Sequence, residues 1–259
     1  MRCLLGGNGR AGAAGVVIVL AACGSMAHAS AFNVDWLDTS AVAHLDNIAS
    51  GSVFNLPGYG NVQLDYTLQA GPLNNVHNVS AAAQNGTLVA GPDTYSWGAI
   101  GAFSRVNFNP TGSSDSYSVT YTFLNGAMPA GELALAVSGL GRVDLVVPGS
   151  ITTATVNQNG TFLGDYNVGS FGPTEFTGGA GSFVMRNSLP GDLTPGNPSF
   201  NSQLGIVRID DGVTSLTINM SQIGQDGIGM TVGRISIPAP GAAGLLGIFA
   251  AAAMRRRRN

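Results

Sequence analysis

The stretch Ser116-Tyr117-Ser118-Val119-Thr120-Tyr121-Thr122-Phe123 alternates hydroxyl-bearing and large apolar side chains without a break. Successive side chains of an extended strand point to opposite faces, so this run predicts a strand with one wet face and one buried face. Val62-Gln63-Leu64-Asp65-Tyr66-Thr67-Leu68-Gln69 repeats the pattern, and Leu133, Leu135 and Val137, then Val143, Leu145 and Val147, continue it. Asn159-Gly160 predicts a hairpin, because that dipeptide readily takes the positive φ angles of a tight turn. Asp211-Gly212, between LGIVRID and VTSLTIN, predicts a second. The last strand is expected from Ile228 to Ile237. Ala41 to Ala49 has the composition for two helical turns, but no segment of the body sustains a 3.6-residue period. Thr177 to Gly181 and Pro190 to Pro198 read as glycine- and proline-rich surface connections. Strand signals recurring about every 8–12 residues point to an all-β body, a single β-sandwich of jelly-roll type.

Composition narrows the chemistry. Charged residues make up 10% of the 259-residue chain, against a usual share of about a quarter. All 11 basic residues are arginine. A chain without lysine has no phosphate-loop lysine, no kinase-type lysine and no Schiff-base nucleophile. Between residues 30 and 237 five arginines face fourteen acidic residues, a net charge of −9. Nothing electrostatic there attracts nucleic acid.

The two ends read as addresses. Residues 1–29 have a weakly basic start (Arg2, Arg10), an apolar run from Ala11 to Ala22, and the small-x-small site Ala27-His28-Ala29, with Ser30 as the expected first residue after cleavage. Two alternatives stay open. Leu20-Ala21-Ala22-Cys23 has the form of a lipidation site, and the apolar run is a short candidate for a retained anchor. Gly7-Asn8-Gly9-Arg10-Ala11-Gly12 fits the dinucleotide fingerprint but follows no strand.

At the other end, Pro238-Ala239-Pro240 precedes a 14-residue apolar run, Gly241 to Met254, and the cluster Arg255, Arg256, Arg257 and Arg258. As a helix that run would be about 21 Å long, short for a hydrocarbon core of about 30 Å. Basic flanks of this kind stay cytoplasmic. The layout resembles the PEP-CTERM sorting signals of bacterial exosortase substrates, with Ala239 where those tails usually carry glutamate. A plain tail anchor is the other reading. The resemblance implies a processing enzyme of the exosortase kind as partner, transient anchoring in the cytoplasmic membrane, and association with exopolysaccharide at the cell surface. Three segments result: a signal at 1–29, an extracytoplasmic body at 30–236 and a sorting tail at 237–259.

The body shows no catalytic constellation. His44 and His77 are far apart in sequence, and neither an HExxH zinc motif nor a Gly-x-Ser-x-Gly elbow is present. Glu132 and Glu175 are the only glutamates, and nothing pairs them with an aspartate as a glycosidase would need. Asp210-Asp211-Gly212 and Gln225-Asp226-Gly227 carry oxygen ligands of the kind calcium takes, although Asp-Gly is first a turn dipeptide. Tyr95 and Trp97, in Thr94-Tyr95-Ser96-Trp97-Gly98, point the same way if the segment is a strand. They could then stack on a sugar or fill the core. Trp36 reads as a packing residue of the first strand. The sequons at Asn78, Asn85, Asn159 and Asn219 carry no weight in a chain so rich in Asn, Ser and Thr. The expectation is a non-enzymatic surface or matrix protein, with a carbohydrate-binding module and a secreted polysaccharide hydrolase as the alternatives.

Both cysteines, Cys3 and Cys23, precede Ser30. The thermal midpoint of a chain cleaved there is therefore expected to be identical with and without reductant. A drop on reduction would mean that both cysteines are retained and paired.

Overall fold

The computed structural model describes residues 29–70, 73–80, 86–97, 104–110, 115–142, 151–166, 172–188, 202–222 and 228–236. They form sixteen strands. In chain order these are β1 Ala31–Trp36, β2 Ser52–Leu56, β3 Gly60–Ala70, β4 Leu73–Ser80, β5 Gly86–Ala90, β6 Asp93–Trp97, β7 Ser104–Pro110 and β8 Asp115–Phe123. They continue with β9 Leu133–Ser138, β10 Thr153–Val156, β11 Gly160–Tyr166, β12 Thr174–Gly178, β13 Phe183–Asn187, β14 Leu204–Ile209, β15 Ser215–Gln222 and β16 Ile228–Ser236. The long alternating runs became β3 and β8, and the final strand ends one residue short of Ile237. The predicted strand at Val143 to Val147 and the loop at Pro190 to Pro198 lie outside the described residues.

Two sheets form. The first runs β11-β14-β9-β16-β1-β6-β5, with β7 added to β16 and β4 to β7. The second runs β12-β13-β10-β15-β8-β3-β2. Their facing sides share one apolar core. Tyr117, Val119, Tyr121 and Phe123 of β8 and Leu216, Ile218 and Met220 of β15 meet Leu133, Leu135 and Val137 of β9 and Met230 and Val232 of β16. The all-β, two-sheet expectation therefore holds.

The first sheet does more than cover the second. It curls until β5 approaches β11, where Leu88 lies over Gly164. This closes a second core on its far side, holding Val34, Trp36, Tyr95, Trp97, Leu163, Leu204, Ile206 and Ile235 around Ala134 and Ala136. As a result β9 is buried along its whole length, and β16 along most of it. Leu133, Leu135 and Val137 serve the shared core, while the intervening alanines serve the curl. Small residues on the concave side leave room for rings. A Cβ on Gly233 would come within 2.7 Å of Trp36, and one on Gly86 within 1.9 Å of Trp97.

Three local expectations are corrected. Asn159-Gly160 joins β10 to β11, but these strands lie in different sheets, β10 against β13 and β15 and β11 against β14. Asp211-Gly212 likewise takes the chain from β14 in the first sheet to β15 in the second. Neither dipeptide makes a hairpin, and neither glycine adopts the left-handed region. Instead the two crossings clip together. Asn159 N and Nδ2 donate to the Asp211 carboxylate at 2.7 and 2.8 Å, and Asp210 N donates to Asn159 O at 3.0 Å. The hairpins lie elsewhere, at β2–β3, β5–β6 and β12–β13, and glycines with positive φ stand in or beside their turns (Gly58, Gly91 and Gly179).

The third correction is the helical expectation at Ala41 to Ala49. That segment makes irregular turns whose backbone bonds outward to β4: Leu45 N to Asn78 O, Ile48 N to Val76 O, and Asn78 N back to Asp46 O. The buried Asn78 side chain donates to Val42 O at 2.7 Å and accepts from the Thr39 hydroxyl at 2.7 Å. Those partners replace the intrahelical ladder.

Glycine at position 86 is therefore a packing requirement. Gly86→Ala is expected to cost about 1–3 kcal/mol, and Trp97→Ala about 3–5 kcal/mol, in denaturant unfolding. A loss below about 0.5 kcal/mol for both, the range of ordinary surface substitutions, would show that the second core is not closed as described.

Candidate functional site

The hydroxyl half of the opening alternation lies on the outer face of the second sheet. Across β8 and β15, Ser116 stands opposite Ser221, Ser118 opposite Asn219, Thr120 opposite Thr217 and Thr122 opposite Ser215. On one side β10 adds Thr153 and Thr155, and on the other β3 adds Gln63, Asp65 and Thr67. Residues two apart on a strand are about 6.8 Å apart and neighbouring strands about 4.8 Å, so this is a grid of hydroxyls and amides at molecular spacing. Thr120 Oγ1 and Thr217 Oγ1 bond each other at 2.9 Å, and Gln63 Nε2 donates to Asp65 Oδ2 at 2.9 Å. The Arg186–Glu175 pair, at 2.5 Å, closes one margin, and the arginine bond holds the Glu175 carboxyl below its ordinary pKa. Each hydroxyl can both donate and accept, which suits a neutral polyol better than an ion.

Tyr95 and Trp97 do point the same way, as neighbours on β6, but they point inward. They are 2% and 6% exposed. Tyr95 stacks on Phe32 with centroids 5.0 Å apart, and Trp97 meets Trp36 and Tyr166 edge-on at 6.0 and 5.0 Å. The curl that buries them leaves no ring face at the surface, so of the two roles open to this pair they fill the core. Burial also raises the Tyr95 hydroxyl pKa, against the opposing pull of Arg208.

Glu132, Asp210 and Asp211 are committed within the fold. Glu132 Oε2 accepts from Arg234 Nη2 at 3.1 Å and Nε at 3.2 Å, and Arg234 also bonds Gly58 O. Asp210 holds Arg208 at 2.7 Å and accepts from Thr161, while bonds from Asn159 lower the pKa of Asp211. The two glutamates fall on different sheets, each against an arginine. Among the described residues no three His, Cys, Asp or Glu side chains gather where a metal ion could be held. Asp226 lies outside those residues.

At one end of the first sheet β1 begins and β16 finishes. The two are antiparallel neighbours, with Asn33 opposite Ser236. Ser30 O accepts from Thr94 N at 2.9 Å, and Ser30 N donates to Asp93 Oδ1 at 3.2 Å. Ala29 is exposed beside it. Ala27, Pro238, Ala239, Pro240 and Arg255 to Arg258 lie outside the described residues. Among the described residues no helix is long and apolar enough to cross a membrane.

No known protein family matches this chain, and no curated protein matches it. Among solved structures it is similar to TmCBM61 in complex with β-1,4-galactotriose, at 12% identity and a TM-score of 0.33. The likeness covers 67% of this chain and 88% of that one.

One half-buried carboxylate gives a pH test. Asp165 Oδ2 accepts from Thr174 N at 2.9 Å, and burial raises its pKa despite that bond. A raised carboxyl favours the protonated native state, so its contribution to stability is lost as pH rises from the unfolded pKa of about 3.9 through the folded one. Asp165→Asn removes this loss. The stability difference between variant and wild type is expected to move in the variant's favour as pH rises from about 3 to about 6. A constant difference in urea unfolding would refute the assignment.

Proposed function

We propose that this chain is an exported, non-enzymatic protein of the cell surface or extracellular matrix, sorted by its PEP-CTERM-like tail. The observation that carries the reading is the pairing of Asn33 with Ser236, which brings the first and last strands of the body side by side. The signal segment before Ser30 and the tail after Ser236 therefore leave from the same end of the first sheet. A body whose two flanking segments depart from one end can fold while both remain in one membrane, with its far end facing outward. Arg255 to Arg258 stay on the cytoplasmic side, and an exosortase-like enzyme releases the body near Pro238-Ala239-Pro240. In this reading the two-sheet body belongs with the jelly-roll-type sandwiches. The mass of both termini, from surface and medium fractions, tests the route. A chain from Ser30 to near Pro238–Gly241 is expected, whereas one from a lipidated Cys23 with Arg255 to Arg258 intact would overturn it.

The partner in this reading is an exopolysaccharide, and the outer face of the second sheet is where it lies. The support is the uncharged ladder of Ser116, Ser118, Thr120 and Thr122 against Ser215, Thr217, Asn219 and Ser221. Thr120→Val with Thr217→Val keeps the β-branched shape and removes two hydroxyls. At about 0.5–1.5 kcal/mol per hydrogen bond, binding to neutral polysaccharides on a glycan array should weaken about fivefold or more. Binding unchanged by this pair would move the contact elsewhere.

A further inference from the structure

We infer that Asp93 is the acceptor for the new N-terminus: cleavage before Ser30 creates an α-ammonium that forms an ion pair with the Asp93 carboxylate and pins β1 in place. The inference rests on the export reading above. In the uncleaved chain the nitrogen of Ser30 is a peptide amide that already donates to Asp93 Oδ1 at 3.2 Å. Hydrolysis adds water across the Ala29–Ser30 bond. The carbonyl carbon of Ala29 takes the hydroxyl and leaves as a carboxylate, and the freed amine of Ser30 takes up protons. The same atom, at the same place, becomes a charged donor, and charge-assisted hydrogen bonds are about twice as strong as neutral ones.

The position matters because of what β1 holds together. It lies between β16, to which it runs antiparallel, and β6, to which it runs parallel, with Ala31 opposite Thr94 and Phe32 opposite Tyr95. The β1–β6 contact is where the curl of the first sheet turns toward β5. Asp93 opens β6, and Thr94 N donates to Ser30 O at 2.9 Å. The ammonium would therefore add a second clamp at the mouth of this parallel pair. The uncleaved leader would occupy the same exit.

Two arginine–carboxylate pairs stand nearby. Tyr95 lies on β6 below Asp93, and its hydroxyl feels the charge of Arg208 of β14, which Asp210 holds at 2.7 Å. On the other side of β1 and β16 stand Asp35 and the Arg234–Glu132 pair. Asp93 is the carboxylate that faces Ser30.

The absence of lysine makes the test clean, because the α-amine of Ser30 would be the sole primary amine of the processed chain. The full chain is exported in a Gram-negative host, the processed protein is purified, and its first residue is confirmed by mass. Acylation of the amine is then followed against pH. An unpaired α-amine titrates near about 8. Pairing is expected to raise this by about one unit, slowing labelling at pH 7 about tenfold. Asp93→Asn, and wild type in about 1 M salt, should both restore the ordinary rate. A Ser30 amine that titrates ordinarily in wild type and is unmoved by Asp93→Asn or salt overturns the ion pair while leaving export intact. A chain that begins at Cys23 overturns the pair together with the Ser30 cleavage and the sorting route on which it rests.

Discussion

The structure depends on burying one sheet from both sides. Most antiparallel sheets wet one face, and their strands alternate accordingly. Here β9, β14 and β16 have the shared core on one face and the curl of their own sheet on the other. The curl closes because the concave side alternates in size rather than polarity. Ala134, Ala136 and Gly233 form a low floor, and Trp36, Tyr95 and Trp97 come down onto it from β1 and β6. Two apolar cores on opposite faces of one sheet allow a chain expected to carry no disulfide to bury enough surface for stability.

That arrangement also determines where function can lie. The large rings are spent inside, so the aromatic pair that most invites a sugar is consumed by packing. What remains outward on β3, β8, β10 and β15 of the second sheet is the polar half of each alternating strand. Such a face offers many weak, two-way hydrogen-bonding groups and little charge, a chemistry suited to an extended neutral polymer rather than to a small ion or a phosphate. The arginines add little to it. Arg186, Arg208 and Arg234 each hold a carboxylate of the same body, at the margins of the sheets and the crossings between them.

The crossings show how local chemistry and long-range order divide the work. Asn-Gly and Asp-Gly are turn formers, and both lie in short bends between strands. Yet a hairpin also requires that the two strands pair, and pairing depends on partners elsewhere in the sequence. β10 pairs with β13 and β15, and β14 with β9 and β11, so each turn becomes a passage between sheets. The Asn159–Asp211 clip then turns two unrelated turns into one joint.

The sequence by itself determined the all-β fold class and the main strands. Period-two alternation in Val62 to Gln69 and Ser116 to Phe123 is local, and a short window carries it whole. It also determined which face of β8 would be polar, because alternation assigns faces within a strand. Only the tertiary structure decided which strands are neighbours, that the first sheet curls on itself, and hence that Tyr95 and Trp97 are interior. It alone set Ser30 against Asp93, 63 residues away, and β1 beside β16. The physical reason is that pairing and burial are settled by contacts between distant segments, and a window of eight residues carries no record of them.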